Sequence, residues 1–195
     1  MSTAPNNDGW LAGARHCPSP NFNERPAGCS PLMLVVHNIS LPPGRFGGGR
    51  IEALFCNALD CDEHPFFDEL RGLEVSAHFL IDRDGLLTQF VSCDDRAWHA
   101  GVSRWGGREN CNDFSIGVEL EGTDTTPYTE EQYDTLRQLV AELRRRYPAL
   151  SAGPVLGHSD IAPGRKTDPG AAFDWRRLRL MLREEPLPSD GSCTA

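Results

Sequence analysis

Residues 157 to 170, GHSDIAPGRKTDPG, gather a histidine, two aspartates, an arginine and a lysine among three glycines and two prolines. Pro163 and Pro169 withhold backbone donors and the glycines permit unusual dihedrals, so the segment reads as a loop rather than a helix or a central strand, either ordered by side-chain contacts or mobile. Ordering a loop costs about 1–2 kcal/mol per residue. A metal ion could supply that order. Catalytic zinc takes three protein ligands from His, Cys, Asp or Glu and leaves a fourth position to water. His158 and Asp168, ten residues apart, suit that chemistry, and His37, where an apolar run ends, is the natural distant third. Six histidines and 28 acidic residues allow many other triplets, and no H-E-x-x-H is present, so spacing alone does not single this one out.

Such side chains need elements to hold them. LMLVVHN, from Leu32 to Asn38, is the continuous apolar run of a strand buried on both faces, with His37 near its end. In FSIGVELEG, Phe114, Ile116, Val118 and Leu120 alternate with Ser115, Gly117, Glu119 and Glu121. A strand there sends the apolar set to one face and the carboxylates to the other, where Ser115 and Gly117 leave room. AHFLI and LLTQFVS flank Asp84-Gly85, which predicts a hairpin. IEALFCNAL predicts a short amphipathic helix over 51–59. YTEEQYDTLRQLVAELRRRYP predicts a helix from Thr129, paired with Gln132 in a capping box, to the stop at Pro148. The loop SLPPGRFGGGR lacks both G-K-[ST] and G-x-G-x-x-G and so does not read as a phosphate cradle. PSPNFNERPAG and EEPLPSDGSCTA read as loose margins. The expectation is one α+β domain over 1–185, including an N-terminal extension, with a mixed central β-sheet flanked by α-helices and a flexible tail over 186–195.

The composition narrows the class. A chain of 195 residues buries about 70% of its extended-chain surface around one core. Its 39% hydrophobic and 24% charged residues are ordinary for a globular protein. The net charge of −9 argues against nucleic acid and anionic membrane as partners. Arg144, Arg145 and Arg146 fall in a predicted last helical turn, where cations complement the dipole. Seven cysteines, an odd number without C-x-x-C, read as reduced thiols. No apolar run approaches the ~20 residues a bilayer requires. MSTAPNNDGWLAGARH lacks the basic start and apolar stretch of a secretory signal, so a cytoplasmic location is expected; the separate expectation for the assembly is a monomer.

LVVHNISLPPG, VSAHFLI, AWHAGVS, CNDFSIGVELEGTDT and GHSDIAPGRKTDPG occur in this order. Together, over residues 10 to 180, they resemble the AmpD family of cytoplasmic anhydro-N-acetylmuramyl-L-alanine amidases, within the broader amidase and peptidoglycan-recognition fold. The resemblance implies one Zn2+ per chain held by His37, His158 and Asp168, with Glu119 and Lys166 catalytic. It also implies hydrolysis of the amide between the lactyl group of N-acetylmuramic acid and L-alanine, with anhydro-N-acetylmuramyl peptides from wall turnover as substrates in peptidoglycan recycling. The residue types suit that chemistry. Two imidazoles and one carboxylate leave a zinc site near +1, enough to bring its water to a pKa of about 7. Glu119 would shuttle the proton and Lys166 would face the oxyanion.

Asn38 and Arg165, neighbours of His37 and Lys166, are candidate substrate contacts. Trp98 either lines the cleft or fills core. Glu121 shares a face with Glu119, and register with the family favours Glu119. His78 and His99 read as structural or as supports for the ligands, Asp160 as a loop-orienting group, and His16 and His64 as surface. Glu74 and Asn110 stand where relatives carry arginine, which puts recognition of peptide carboxylates there in doubt. Glycine at 164 should loosen the loop. Two other functions fit the same resemblance: an amidase acting on polymeric peptidoglycan, and a non-catalytic muropeptide-recognition module, which would be expected to lose ligands that this chain retains.

Overall fold

The computed structural model describes residues 9–183, so the tail expected over 186–195 lies outside the described residues. In chain order the strands are β1 (Arg15–His16), β2 (Phe22–Glu24), β3 (Met33–Ile39), β4 (Phe79–Ile81), β5 (Leu87–Gln89), β6 (Asp95–Ala97), β7 (Arg104–Trp105), β8 (Arg108–Glu109), β9 (Ser115–Glu121) and β10 (Val155–Gly157). The α-helices are α1 (Arg50–Phe55), α2 (Glu130–Arg146), α3 (His158–Ile161) and α4 (Trp175–Arg183). Six strands form the central sheet in the order β1-β5-β4-β9-β3-β10. Only β4 and β5 pair antiparallel, as the predicted hairpin; the other neighbours are parallel. The sheet is therefore mixed, as expected, with the long strands β3 and β9 at its centre.

The period of two in those strands sorts their side chains. Leu34 and Val36 of β3 face α2 together with Ile116, Val118 and Leu120 of β9, packing on Tyr133, Leu136, Leu139, Val140 and Leu143. Each such buried aliphatic or aromatic side chain contributes roughly 1.5–3 kcal/mol. Phe114, expected with that apolar set, instead precedes β9, closes the helical turn at 111–113 and packs with Met33 and Val35. On this opposite face, α1 and the turn at 65–70 cover one half through Leu54, Phe55 and Phe67. Ala100, Cys111 and Ile161 cover the other half. The functional side chains lie between these two clusters.

Helix α2 has the predicted capping box: Thr129 Oγ1 accepts from Gln132 N–H at 3.1 Å, and Gln132 Oε1 accepts from Thr129 N–H at 3.1 Å. The buried Gln132 amide also donates to the carbonyls of Ile81 and Glu121, at 3.2 and 2.9 Å, and so joins the helix start to the ends of β4 and β9. Three further expectations are corrected. Helix α1 stops at Phe55 rather than continuing to residue 59, because Asn57 takes a left-handed conformation with φ 57°. The segment read as the loose margin PSPNFNERPAG is ordered: β2 pairs with β6, and the Arg25 guanidinium beneath it donates to the carbonyls of Cys93, Asn112, Asp113 and Ser115. The opening of GHSDIAPGRKTDPG is not loop, since Gly157 ends β10 and His158 begins a helical turn.

Candidate metal centre

Three separate elements deliver the predicted ligands to one point. His37 lies late in β3, where the sheet face opens between its two covering clusters. His158 begins α3 directly after β10, which pairs with β3. The following loop folds back so that Asp168 C=O accepts from Ser159 N–H at 3.0 Å, which returns the Asp168 side chain to His158. Gly170 holds this return in place. Its φ is 81°, and a Cβ there would lie 2.1 Å from Asp124 Cα. Asp160 anchors the turn by accepting from Gly157 N–H at 2.7 Å.

His37 Nδ1, His158 Nδ1 and Asp168 Oδ2 form a triangle with every side 3.0 Å. Among the described residues this is the group of His, Cys, Asp and Glu side chains placed to hold a metal ion. The donor chemistry supports a cation. His158 Nε2 lies 3.0 Å from Ala100 C=O, which can only accept, so this nitrogen carries a hydrogen, and in the neutral ring Nδ1 is then a lone pair. Burial holds the His37 imidazole down at about 4, against the opposing pull of Asp168, so its ring is neutral at physiological pH. Lone pairs and a carboxylate oxygen at 3.0 Å repel unless a cation sits among them. A tetrahedral ion with bonds of about 2.0–2.2 Å sets its donors about 3.3–3.6 Å apart, so this triangle would need to open by only a few tenths of an ångström to receive one.

Glu119 is the direct register partner of His37 across the parallel strands, so both side chains emerge on the same face. Its Oε2 is inaccessible and has no hydrogen-bond partner. Burial, then the negative charge of Asp168, pushes this carboxyl well above the usual carboxylate range. Glu121 differs: its carboxylate accepts from Gly47 N–H at 2.5 Å and from Arg83 N–H at 3.4 Å, which pins the 39–50 loop to the sheet. Lys166 is exposed on the rim of the same cleft.

That cleft, about 580 Å³, is lined by the triad, Glu119, Asn38, Trp98 and Lys166, with an apolar wall that includes Phe55, Phe66 and Leu73. Trp98 is half-buried and its Nε1–H donates to Asn23 at 2.7 Å. Asn38 donates to Asp124 at 2.8 Å. Arg165 lines the cleft, but its Nη2 donates to the carbonyls of Ala100 and Val102, at 2.7 and 2.6 Å, and braces the 100–102 segment. Glu74 and Asn110 do not line the cleft, and Gly164 has a φ of 77° suited to glycine. His16 contacts Leu11 C=O, and His64 caps the turn at 65–70. A second recess, of about 640 Å³ and lined by Leu11, Leu86, Thr135 and Glu142 among others, holds no histidine or cysteine.

Residue types alone do not reveal how the buried His78 and the partly buried His99 are engaged. His78 Nδ1 accepts from Gly117 N–H at 3.0 Å, and burial with the nearby Arg25 charge holds this ring down at about 3. His99 Nδ1 lies 2.9 Å from His37 Nε2. The small residues Ser115 and Gly117 on the face of Glu119 were the available signal, because they make the space that His99 fills. No helix among the described residues is long and apolar enough to cross a membrane.

The sequence profile described as N-acetylmuramoyl-L-alanine amidase matches residues 28–171. The 1,6-anhydro-N-acetylmuramyl-L-alanine amidase AmpD of Enterobacter cloacae is 61% identical over 175 residues, covering 90% of this chain and 93% of its own. A crystal structure of a selenomethionine AmpD derivative superposes with a TM-score of 0.87 at 56% identity, covering 90% of this chain and 97% of that one. AmpDh3 from Pseudomonas aeruginosa in complex with anhydromuramic pentapeptide has a TM-score of 0.57 at 29% identity, covering 93% of this chain and 66% of that one. With a profile spanning most of the chain and relatives matched almost end to end, this protein belongs to the N-acetylmuramoyl-L-alanine amidase family.

Proposed function

We propose that this protein is a zinc-dependent amidase that hydrolyses the amide between the lactyl group of anhydro-N-acetylmuramic acid and L-alanine, removing stem peptides from muropeptides during peptidoglycan recycling. The observation that carries this reading is the convergence of His37, His158 and Asp168 donor atoms beside an unpartnered Glu119 carboxyl in one cleft. Similarity to AmpD proteins, and to a relative crystallised with an anhydromuramic pentapeptide, supports the substrate class.

Zinc held by this triad supplies a Lewis acid that acidifies water and polarises the scissile carbonyl. The protein supplies the rest. Glu119, on the same face as His37, takes the attacking water's proton and later delivers it to the departing L-alanine nitrogen. In the metal-free site burial raises its proton affinity, and the charge of a bound cation would lower it again, so that one carboxyl can serve first as base and then as acid. Lys166 brings positive charge to the rim where the carbonyl oxygen gains negative charge. The apolar wall of Phe55, Phe66 and Leu73 and the half-buried Trp98 offer surfaces for the sugar and peptide backbone.

Incubating purified protein with an anhydro-N-acetylmuramyl peptide, with and without a chelator, tests the reading. Release of the stem peptide should disappear on chelation and return with added zinc. Zinc binding without any release would favour a recognition module, and release unaffected by stripping the metal would overturn the mechanism.

A further inference from the structure

The hydrogen bonds behind His37 form a chain whose directions can be assigned one by one. Cys111 C=O only accepts, so Ser115 Oγ–H donates to it at 2.6 Å. With its one hydrogen used, Ser115 Oγ accepts from His99 Nε2–H at 3.2 Å. That leaves His99 Nδ1 as a lone pair, 2.9 Å from His37 Nε2, which must therefore be the N–H. His37 Nδ1 is then bare and directed at His158 and Asp168. The position of His99 is fixed independently. Asn112 Oδ1 accepts from the backbone N–H of both His99 and Ala100, at 3.1 and 2.8 Å. The ring packs so closely on Gly117 that a Cβ there would lie 2.4 Å from its Cγ. The same short segment thus serves both imidazoles, since Ala100 C=O receives His158 Nε2–H.

We propose that His99, with its tautomer fixed by Ser115, is a positioning residue for the metal ligand His37. By accepting the Nε2–H it keeps the Nδ1 lone pair on the metal side and makes it a better donor. The inference rests on the reading that His37, His158 and Asp168 hold a metal. It does not depend on which bond the enzyme hydrolyses.

The test is zinc affinity, measured by competition with a chromophoric chelator. His99→Phe keeps a ring and removes the acceptor; affinity should fall roughly 10–100-fold, the range seen when a ligand's hydrogen-bond partner is lost. His99→Asn offers an acceptor near the position of Nδ1 without needing Ser115, and should stay within about threefold of wild type. Ser115→Ala should weaken zinc binding when residue 99 is histidine and have no further effect in the His99→Asn protein. Wild-type affinity in His99→Phe would overturn the proposal, and so would an equal loss from Ser115→Ala in both backgrounds, the result expected of simple packing. If His99→Phe does not fold, the His99→Asn and Ser115→Ala cycle decides the question alone. Wild-type protein that binds zinc tightly yet releases no stem peptide would refute the proposed activity and leave this inference standing.

Discussion

Glu119 has one oxygen shut away from both solvent and donors, and that isolation separates its effects on stability and catalysis. Its carboxyl holds a proton well above the ordinary value of 4.5. Above that value the unfolded chain loses a proton that the metal-stripped fold retains, so folding weakens as pH rises. Glu119→Gln removes this penalty. The metal-stripped variant should unfold at higher urea than metal-stripped wild type at pH 7 and at the same urea at pH 4; equal midpoints at pH 7 would mean that the carboxyl is solvated. Loaded with zinc, the variant should keep its metal and lose about 10²–10⁴-fold in turnover. His158→Ala and Asp168→Ala should instead fail to bind zinc in equilibrium dialysis. His37, His158 and Asp168 were legible in the sequence because their types suit a metal and their motifs align with a family. The contact of His99 with His37 was not, because it spans 62 residues and depends on how β9 lies beside β3.

At the scale of elements, the junction between α2 and the sheet makes a graded prediction. Thr129→Ala removes one half of the capping box and the bond from Thr129 Oγ1–H to Arg83 C=O, and should cost about 1–2 kcal/mol. Gln132→Ala also leaves the carbonyls of Ile81 and Glu121 without this donor and should cost more, about 2–3 kcal/mol, because an unpaired buried polar group bears its desolvation cost. Urea denaturation of both variants measures the difference, and a loss from Gln132→Ala no larger than that from Thr129→Ala would overturn this ranking. Helix α2 was legible because its apolar stripe runs over many turns and its cap is a local pattern. Helix α4 is absent from the sequence reading, although Trp175, Leu178 and Leu182 recur at helical spacing; arginines dominate it and only Leu178 is fully buried. Strand β10 has three residues, too few for a period to emerge. The ordering of PSPNFNERPAG depends on Arg25 reaching carbonyls 68 to 90 positions away, which no local pattern encodes.

For the molecule as a whole, the buried imidazoles set the response to acid. His37 and His78 are held down at about 4 and about 3, in each case chiefly by burial, and His99 also lies well below 6.5. As pH falls below about 6.5, the unfolded chain takes up protons that the fold refuses, so stability is lost through the window down to about pH 4. Glu119 opposes this trend, but three rings outweigh one carboxyl. Chemical denaturation at pH 7.5, 6 and 5 should show a steady decline in metal-stripped protein; a flat profile would mean that the imidazoles are accessible to water. The mixed sheet and its flanking helices were legible from alternating strands and helical stripes. The strand order was not, because it is set by contacts far apart in the chain.

The in-register pairing of His37 with Glu119 has one more consequence, for the kinds of genetic change this gene can absorb. Losing a single codon between Ser115 and Gly117 would exchange the two sides of β9, turning the acid toward the oily underside of α2 and a leucine toward the substrate. Substitutions in that stretch can be conservative, whereas a change of length cannot. In the hairpin of β7 and β8, joined by the exposed Gly106 and Gly107, a shift of register would move only exposed side chains. Libraries of one-residue deletions should therefore retain activity at the turn and lose it in the strand.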